Sequence, residues 1–219
     1  WILNNDTVID KESLSKSINA AMNDKFDRLI GSYVWEYYEP GKLQLYGGLR
    51  LCKYFILRPF FAKENDDIDC ISGVSLFLSR KNINKFGLLE EKYFLNSEDL
   101  EYSYFYSKAF RKLHNDITPF LVAGKLWHKH SASQNKNVVL HTYYLTRNTL
   151  YFSLEISKIN FCLTFLLAIL RGICYFLICK RDTAKGIFLG IKDFANKKTG
   201  KWSQHSTVNG LNKLTLNAC

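Results

Sequence analysis

The stretch "DCISGVSLFLSRKNINKFGLLEEKYFLNSEDLEYSY", residues 69–104, holds the elements on which the fold prediction depends. Its first part, residues 69–79, is largely apolar, which is typical of a strand in the centre of a sheet. Gly73 lies inside this strand. A glycine at such a position indicates that another backbone or a ligand approaches closely.

Two helices are predicted after this strand. The first lies within 80–94, is short, and is closed by Gly87. The second covers 96–114, with Asn96 or Ser97 as its N-cap. The first turn of this second helix carries two carboxylates, Glu98 and Asp99.

Strands and helices alternate over the rest of the chain as well. We predict strands at 1–9, 32–38, 43–48 and 117–133, and helices at 10–30, 141–158 and 182–197. In the first of these helices, apolar residues recur every four positions and share one face: Leu14, Ile18, Met22 and Phe26. This order predicts an α/β fold, whose strand ends would converge on one ligand-binding crevice.

The composition is that of a folded domain with an uneven charge. Of 219 residues, 47% are hydrophobic and 15% are aromatic, which excludes a disordered chain. Residues 1–150 carry 20 Lys and Arg against 17 Asp and Glu, a net charge of +3, whereas residues 151–219 carry 10 against 3, a net charge of +7. Because the basic part is also the most apolar part, we expect anionic lipid rather than nucleic acid as its partner.

Cysteines and short motifs exclude several classes of protein. The six cysteines form no CxxC pair and are interpreted as reduced, mostly buried cytosolic thiols. The chain has no GxSxG, P-loop, dinucleotide-binding or HExxH motif, which argues against hydrolases and P-loop enzymes.

Two acidic positions are candidates for chemistry. Asp6 follows the first strand, where it either ligates Mg²⁺ or Mn²⁺ or caps the following helix as a turn residue. Asp99, beside Glu98, is either a general base or simply a carboxylate favoured by the helix dipole, at about 0.3–1 kcal/mol.

The basic and aromatic candidates lie further along the chain. His128 follows a buried strand and is either a metal ligand or an ordinary histidine of the core or surface. Trp127 is either a core residue or a ligand platform. Arg147, beside Asn148, either binds phosphate or forms an ion pair on the helix surface.

The order of these motifs resembles a bacterial family 2 glycosyltransferase of the rhamnosyltransferase-like type. The resemblance is carried by "WILNNDT" at the start, the long stretch above, "GKLWHKHSAS" and "YYLTRNTLYF". It runs from residue 1 to about 152 and continues more loosely to about 201. It implies a GT-A-like mixed sheet flanked by helices, followed by a C-terminal helical segment.

The resemblance also implies roles for single residues. Asp6 and His128 would hold Mg²⁺ or Mn²⁺ on the diphosphate of a nucleotide-sugar, Asp99 would deprotonate the acceptor hydroxyl, and Glu98 would support it. The substrate-binding residues would be Gly73, Trp127, Arg147 and Asn148. The implied reaction is an in-line displacement at the anomeric carbon with inversion, and the acceptor is a glycan or a lipid-linked glycan.

In the family, the strands and helices that bind the nucleotide precede the "NxD" motif, and this sequence lacks them. We therefore expect a structure truncated at its N-terminus, and a fragment that is inactive on its own. Residues 1–152 would form the acceptor-side catalytic part, residues 153–201 apolar and basic helices, and residues 202–219 a polar tail. The aromatic residues after Asp99 stand where relatives often have an arginine, which affects acceptor specificity.

The apolar run at 161–179 has three interpretations: a core helix, an interfacial membrane helix, or a membrane span. Arg171 in its middle disfavours a span, whereas Lys180, Arg181 and Lys185 favour an interfacial helix. The predicted location is the cytoplasmic face of the cell membrane. The alternative function is a non-catalytic, membrane-associated interaction module.

Overall fold

The computed structural model describes residues 1–39, 41–51, 59–61, 67–115, 117–129 and 137–202. Its strands are β1 (Ile2–Leu3), β2 (Thr7–Ile9), β3 (Leu29–Glu36), β4 (Leu43–Tyr46), β5 (Gly48–Leu51), β6 (Pro59–Phe61), β7 (Cys70–Ile71), β8 (Ser75–Leu76) and β9 (Phe120–His128). Its helices are α1 (Ser13–Asn23), α2 (Arg80–Phe86), α3 (Glu98–Leu113), α4 (Val138–Ile156), α5 (Lys158–Leu177) and α6 (Arg181–Ala195).

The largest sheet has four strands in the order β2-β9-β3-β4. Strands β3 and β9 run parallel, whereas β2 and β4 are antiparallel to their neighbours, so the sheet is mixed. Apolar and aromatic residues dominate β3, and Leu29, Ile30 and Val34 are buried there. Helices flank this sheet, and the predicted α/β class is confirmed.

The predicted strand at 69–79 is wrong in one respect, because the structure divides it into β7 and β8. The two pieces have different partners: β7 pairs with β5, and β8 pairs with β1. The break at 72–74 carries Gly73. Directly after β1, the Asn4 N–H donates to the Val74 carbonyl at 3.2 Å, so this break lies beside the β1–β2 turn.

Helix α3 packs its aromatic face on the sheets. Tyr102, Tyr106 and Phe110 join the buried residues Leu29 and Phe120 in the largest apolar cluster. The helix begins at Glu98, two residues after the predicted start. Its N-cap is Ser97, one of the two predicted N-cap residues. Ser97 has φ of 77°, and its side chain makes no capping hydrogen bond.

The first helix differs from its prediction in length and orientation. It ends at Asn23 because the Asp24 carboxylate accepts hydrogen bonds from the Phe26 and Arg28 N–H groups, and β3 begins soon afterwards. Its apolar stripe is exposed, with Met22 79% accessible. The buried side chains on this helix are instead two serines, Ser13 and Ser17.

The C-terminal helices α4, α5 and α6 pack on one another. Gly186 and Gly190 of α6 face the α4 backbone so closely that a Cβ at either would lie under 3 Å from an α4 carbonyl oxygen. Helix α4 spans the predicted boundary between residues 152 and 153, so it belongs to both predicted parts. The predicted polar tail from residue 203 onward lies outside the described residues.

Candidate functional site

A cavity of about 750 Å³ lies where β1, the 72–74 break, the start of α3, the end of β9 and helix α4 meet. It brings together predicted site residues that are far apart in the sequence: Asp6, Gly73, Glu98, Asp99 and His128. The expectation that polar strand ends converge on one crevice therefore agrees with the structure for these residues.

Asp99 is held at the cavity by two backbone N–H groups. Its Oδ2 accepts from the Gly73 N–H at 2.6 Å, and its Oδ1 accepts from the Leu100 N–H at 2.9 Å. A Cβ at Gly73 would lie 3.1 Å from Asp99 Oδ2, so the side chain of Asp99 makes the close approach that the glycine predicted. Burial raises the pKa of Asp99, and the two N–H groups oppose this rise by stabilising the carboxylate.

Glu98 lies beside Asp99 in a different environment. Burial, and then the charge of Asp99, raises the pKa of Glu98 to about 7. Its Oε2 is buried and makes no hydrogen bond within the described structure. The pair therefore combines a carboxyl group bonded to two backbone N–H groups with a neighbour whose pKa lies near neutrality, a combination suited to proton transfer.

Asp6 also lines the cavity, where it faces His128. The Asp6 Oδ1 atom is 3.0 Å from His128 Nε2, and the His128 Nδ1 atom is 3.1 Å from Gln44 Oε1. The Asn4 Nδ2 atom lies 3.4 Å from the same Nε2. Gln44 Oε1 can only accept, so Nδ1 carries an N–H, and Nε2 faces Asp6 either as an N–H of the imidazolium or as the lone pair of the neutral ring.

These residues fit a divalent cation. Asp6 Oδ1 is buried, and its distance of 3.0 Å from His128 Nε2 is attractive only if a proton or a cation bridges the two atoms. An amide that orients the far nitrogen of a histidine is a common feature of metal sites. Within the described residues, no three His, Cys, Asp or Glu side chains form a metal-binding group. An ion here would therefore take its remaining ligands from substrate oxygens and water, as Mg²⁺ usually does.

Trp127 does not line this cavity. It neighbours His128 in β9, and successive side chains of a strand point to opposite faces of the sheet. On its own face, the Lys125 ammonium lies 4.8 Å from the ring centres of both Trp127 and Trp35. The structure thus gives Trp127 a cation–π contact in place of the predicted role at the substrate.

Arg147 and Asn148 also lie away from the cavity wall, and both are completely buried. The Asn148 amide nitrogen lies within 2.7–2.9 Å of three backbone carbonyl oxygens, which belong to Tyr93, Leu95 and Asn96. Both sequence interpretations of Arg147 required an accessible side chain, either at a phosphate or at the helix surface. Neither fits a guanidinium whose hydrogen bonds all lie inside the protein.

Several polar residues that line the cavity were not predicted from the sequence as site residues. His141 lines the cavity from the first turn of α4, and burial lowers its pKa, so its imidazole is neutral at neutral pH. Gln44 and Ser97 line it as well. A glutamine between two leucines of a short strand is a weak signal in one sequence, and only the fold shows that Gln44 meets His128.

Comparison with known proteins adds no assignment to a family. No protein-family model matches this chain, and no curated protein matches it.

Proposed function

We propose that this chain is the acceptor-side part of an inverting, metal-dependent glycosyltransferase. The observation that supports this proposal is the presence of two polar groups in one cavity. A carboxylate pair, Glu98 and Asp99, and a candidate cation site, Asp6 and His128, both line it. Transfer from a nucleotide-sugar needs both a base for the acceptor hydroxyl and charge stabilisation for the leaving diphosphate.

Asp99 acts as the general base in this proposal. Its two N–H bonds fix its orientation, and its raised pKa makes it a stronger base than an exposed aspartate. Glu98 holds a proton at neutral pH more readily than an ordinary glutamate, which limits repulsion with the ionised Asp99. The acceptor hydroxyl would give its proton to Asp99 as its oxygen attacks the anomeric carbon.

Asp6 and His128 would hold Mg²⁺ or Mn²⁺ together with oxygens of the donor diphosphate. When bound, such an ion neutralises the charge that develops on the leaving group. The protein contributes the buried Asp6 Oδ1 and the histidine orientation set by Gln44. The mixed sheet flanked by helices is compatible with this class of enzyme, and we extend the proposal to a GT-A-like relationship and a rhamnosyltransferase-like family 2 origin.

The proposed location is the cytoplasmic face of the membrane, and the acceptor is a surface glycan or a lipid-linked glycan.

Within the described part of the chain, one helix is long and apolar enough to cross a membrane. This helix is α5, and its mean hydropathy is 1.9. Five of its exposed apolar side chains form one stripe, and Phe176 is exposed beside it; the five are Ile159, Leu166, Leu170, Ile173 and Leu177. Arg171 lies about 120° around the axis from Ile159, at about 100° per residue, beside the stripe rather than in it. A basic residue at the edge of an apolar stripe suits a helix that lies in the membrane surface.

Binding of Mn²⁺ tests the cation site. We expect free Mn²⁺, followed by electron paramagnetic resonance, to decrease when the chain is added with a nucleoside diphosphate. Asp6→Asn should weaken this binding at least about tenfold, since it removes one of two protein ligands. Asp182→Asn, the same change at an exposed position on α6, is the matched control. Equal binding by Asp6→Asn and the control would contradict the assignment of Asp6.

Transfer tests the base. On this chain joined to the donor-binding segment that the resemblance implies, Asp99→Asn should lower the rate of sugar transfer about 10²–10⁴-fold while binding of Mn²⁺ and nucleotide survives. Transfer at the normal rate would exclude Asp99 as the base.

The alternative function is a non-catalytic, membrane-associated interaction module, and the exposed stripe on α5 is the observation that favours it. The module predicts binding to lipid vesicles with no Asp6-dependent binding of Mn²⁺. The two functions are therefore separated by the Mn²⁺ experiment.

A further inference from the structure

The backbone that leads into α3 has an unusual conformation. Phe94, Asn96 and Ser97 have φ angles of 61°, 66° and 77°, in the left-handed region that residues other than glycine rarely adopt. Three such residues within four positions persist only where surrounding contacts hold them. The segment ends at the first turn of α3, which carries Glu98 and Asp99.

The main contacts that hold this segment come from α4. The Asn148 side-chain amide nitrogen donates to the carbonyl oxygens of Tyr93, Leu95 and Asn96, which lie 2.7–2.9 Å away and share its two hydrogens. The Asn148 Oδ1 atom accepts from Arg147 Nε at 3.0 Å, and this bond orients the amide.

Arg147 holds the beginning of the same segment. Its Nη2 donates to the carbonyls of Lys92 and Tyr93 at 3.3 and 3.1 Å, and its Nη1 donates to the Gly200 carbonyl at 2.9 Å. The Gly200 N–H in turn donates to the Lys92 carbonyl at 2.7 Å. The buried guanidinium thus joins the segment before α3 to the segment after α6.

The start of α3 has few other restraints. Ser97 makes no side-chain capping bond, and Glu98 Oε2 has no hydrogen-bond partner within the described structure. Asp99 is bound to the Gly73 N–H on its far side, so a shift of the 92–97 backbone would stretch a 2.6 Å hydrogen bond. The positions of both carboxylates therefore depend on the conformation of residues 92–97.

We propose that Arg147 and Asn148 are positioning residues, which hold the 92–97 backbone in its left-handed conformation and thereby place Glu98 and Asp99 at the cavity. Neither side chain touches the cavity, and their effect passes through the backbone carbonyls. The catalytic consequence rests on the proposed function, whereas the positioning itself does not.

The test is the titration of Glu98, followed by the ¹³C chemical shift of its carboxyl carbon. In the unaltered protein we expect its midpoint near pH 7, from its burial beside Asp99. Among the described residues, the other titratable groups that line the cavity are Asp6, Asp99, His128 and His141, and they are followed in the same spectra. In Asn148→Ala, release of the backbone should expose Glu98 and lower its midpoint by one pH unit or more, toward its ordinary value of 4.5. Asn84→Ala, the same change at an exposed position in α2, should leave the midpoint unchanged.

A second variant separates positioning from general damage to the fold. Ser97→Gly in the Asn148→Ala background supplies a residue that adopts positive φ without steric cost, and it should restore part of the Glu98 midpoint. Asn148→Ser, which keeps one hydrogen-bond donor, should give an intermediate midpoint.

Two results would overturn the proposal. One is a folded Asn148→Ala or Asn148→Ser protein in which Glu98 still titrates near pH 7. The other is loss of the fold in both variants, which would make Asn148 a requirement of the core rather than a positioning residue. Because no transfer is measured, a chain without glycosyltransferase activity would still give a clear answer.

Discussion

At the scale of single side chains, the neighbouring carboxyl groups of Glu98 and Asp99 differ in their hydrogen bonding and in their electrostatic environment. Both lie in the first turn of α3, where the helix dipole favours negative charge. Asp99 accepts two backbone hydrogen bonds, whereas Glu98 Oε2 accepts none within the described structure. The dipole acts on both residues, so the difference between them comes from burial and hydrogen bonding.

Glu98→Gln should make the stability of the protein less dependent on pH. Between about pH 4.5 and 7, the folded state holds a proton on Glu98 that the unfolded state has lost, so stability falls as the pH rises. At about 1.4 kcal/mol per pKa unit, reduced for partial exposure, the variant should gain about 2–3 kcal/mol at pH 8. At pH 4 it should gain nothing. Urea unfolding at both pH values measures this, and an equal change at both would contradict the raised pKa.

Gly73→Ala should displace the Asp99 carboxylate. The new Cβ would lie 3.1 Å from Oδ2 and 3.2 Å from the Asp99 Cβ, so the side chain must move by a few tenths of an ångström. Weakening of the Gly73–Asp99 hydrogen bond should cost about 1 kcal/mol of folding free energy and, in the chain joined to the donor-binding segment, lower transfer activity. In Gly41→Ala the new Cβ meets nothing within 4 Å, so this control strains a positive-φ backbone without touching the site. If both variants lost stability but both kept full transfer activity, the position of Asp99 would not matter.

Among helices and strands, the packing of α6 on α4 depends on two glycines four residues apart. A Cβ at Gly190 would lie 2.8 Å from the Tyr143 carbonyl oxygen and 3.1 Å from the Arg147 backbone nitrogen. Close approach of the two helices lets Tyr143 donate to Asp193 at 3.0 Å, while Arg147 donates to the Tyr143 hydroxyl at 3.1 Å. The glycines therefore let α6 support the network that contains Arg147.

Gly190→Ala should destabilise the protein although alanine favours helix by about 1 kcal/mol. The helices must separate to admit the methyl group, and overpacking of this kind costs about 1–3 kcal/mol. Thermal unfolding measures the change, with Lys185→Ala, exposed on the same helix, as the control. A rise in melting temperature would show that α4 and α6 are not closely packed at this glycine.

Over the whole chain, the exposed apolar stripe and the basic C-terminal part lie together. Only 17% of the apolar window of α5 is buried although it is the most apolar helix, so the interpretation as a core helix is not supported. The described cysteines follow the same pattern. Cys70 is buried, whereas Cys162, Cys174 and Cys179 are exposed on or just after α5, contrary to the prediction of mostly buried thiols.

Leu170→Asp should weaken binding to anionic lipid vesicles at least about tenfold. Burial of the leucine side chain is worth about 1.5–3 kcal/mol, and the variant replaces that side chain with a charged one. Co-sedimentation with vesicles of phosphatidylglycerol and phosphatidylcholine measures the binding. Leu113→Asp, the same change at an exposed position on α3, is the control. Raising the salt to about 1 M should weaken the binding of the unaltered chain, since screening shortens the reach of its basic residues. Equal binding by both variants would exclude the stripe as the lipid-binding surface.

Much of this structure follows from local patterns. Helices α2, α3, α4 and α6 lie close to their predicted ranges, because apolar spacing and Gly87 act through neighbouring residues. The acidic pair Glu98 and Asp99 and the polar turn at Asp6 were also recognisable. Each depends on residue types within one turn of a helix or at the end of one strand.

Other features depended on partners distant in the sequence. The break in strand 69–79 arises because β7 and β8 pair with different strands, and the exposed face of α1 arises because the opposite face, with Ser13 bonded to Lys125 of β9, is buried. The buried contacts of Arg147 with residues more than fifty positions away have no local signature. The positions of single helices and turns follow from backbone sterics and side-chain spacing, which the sequence alone determines. The tertiary structure decides which side chains are buried, how their pKa values shift, and that Asp6, His128 and Asp99 line one cavity, because only the folded chain excludes water from that cavity.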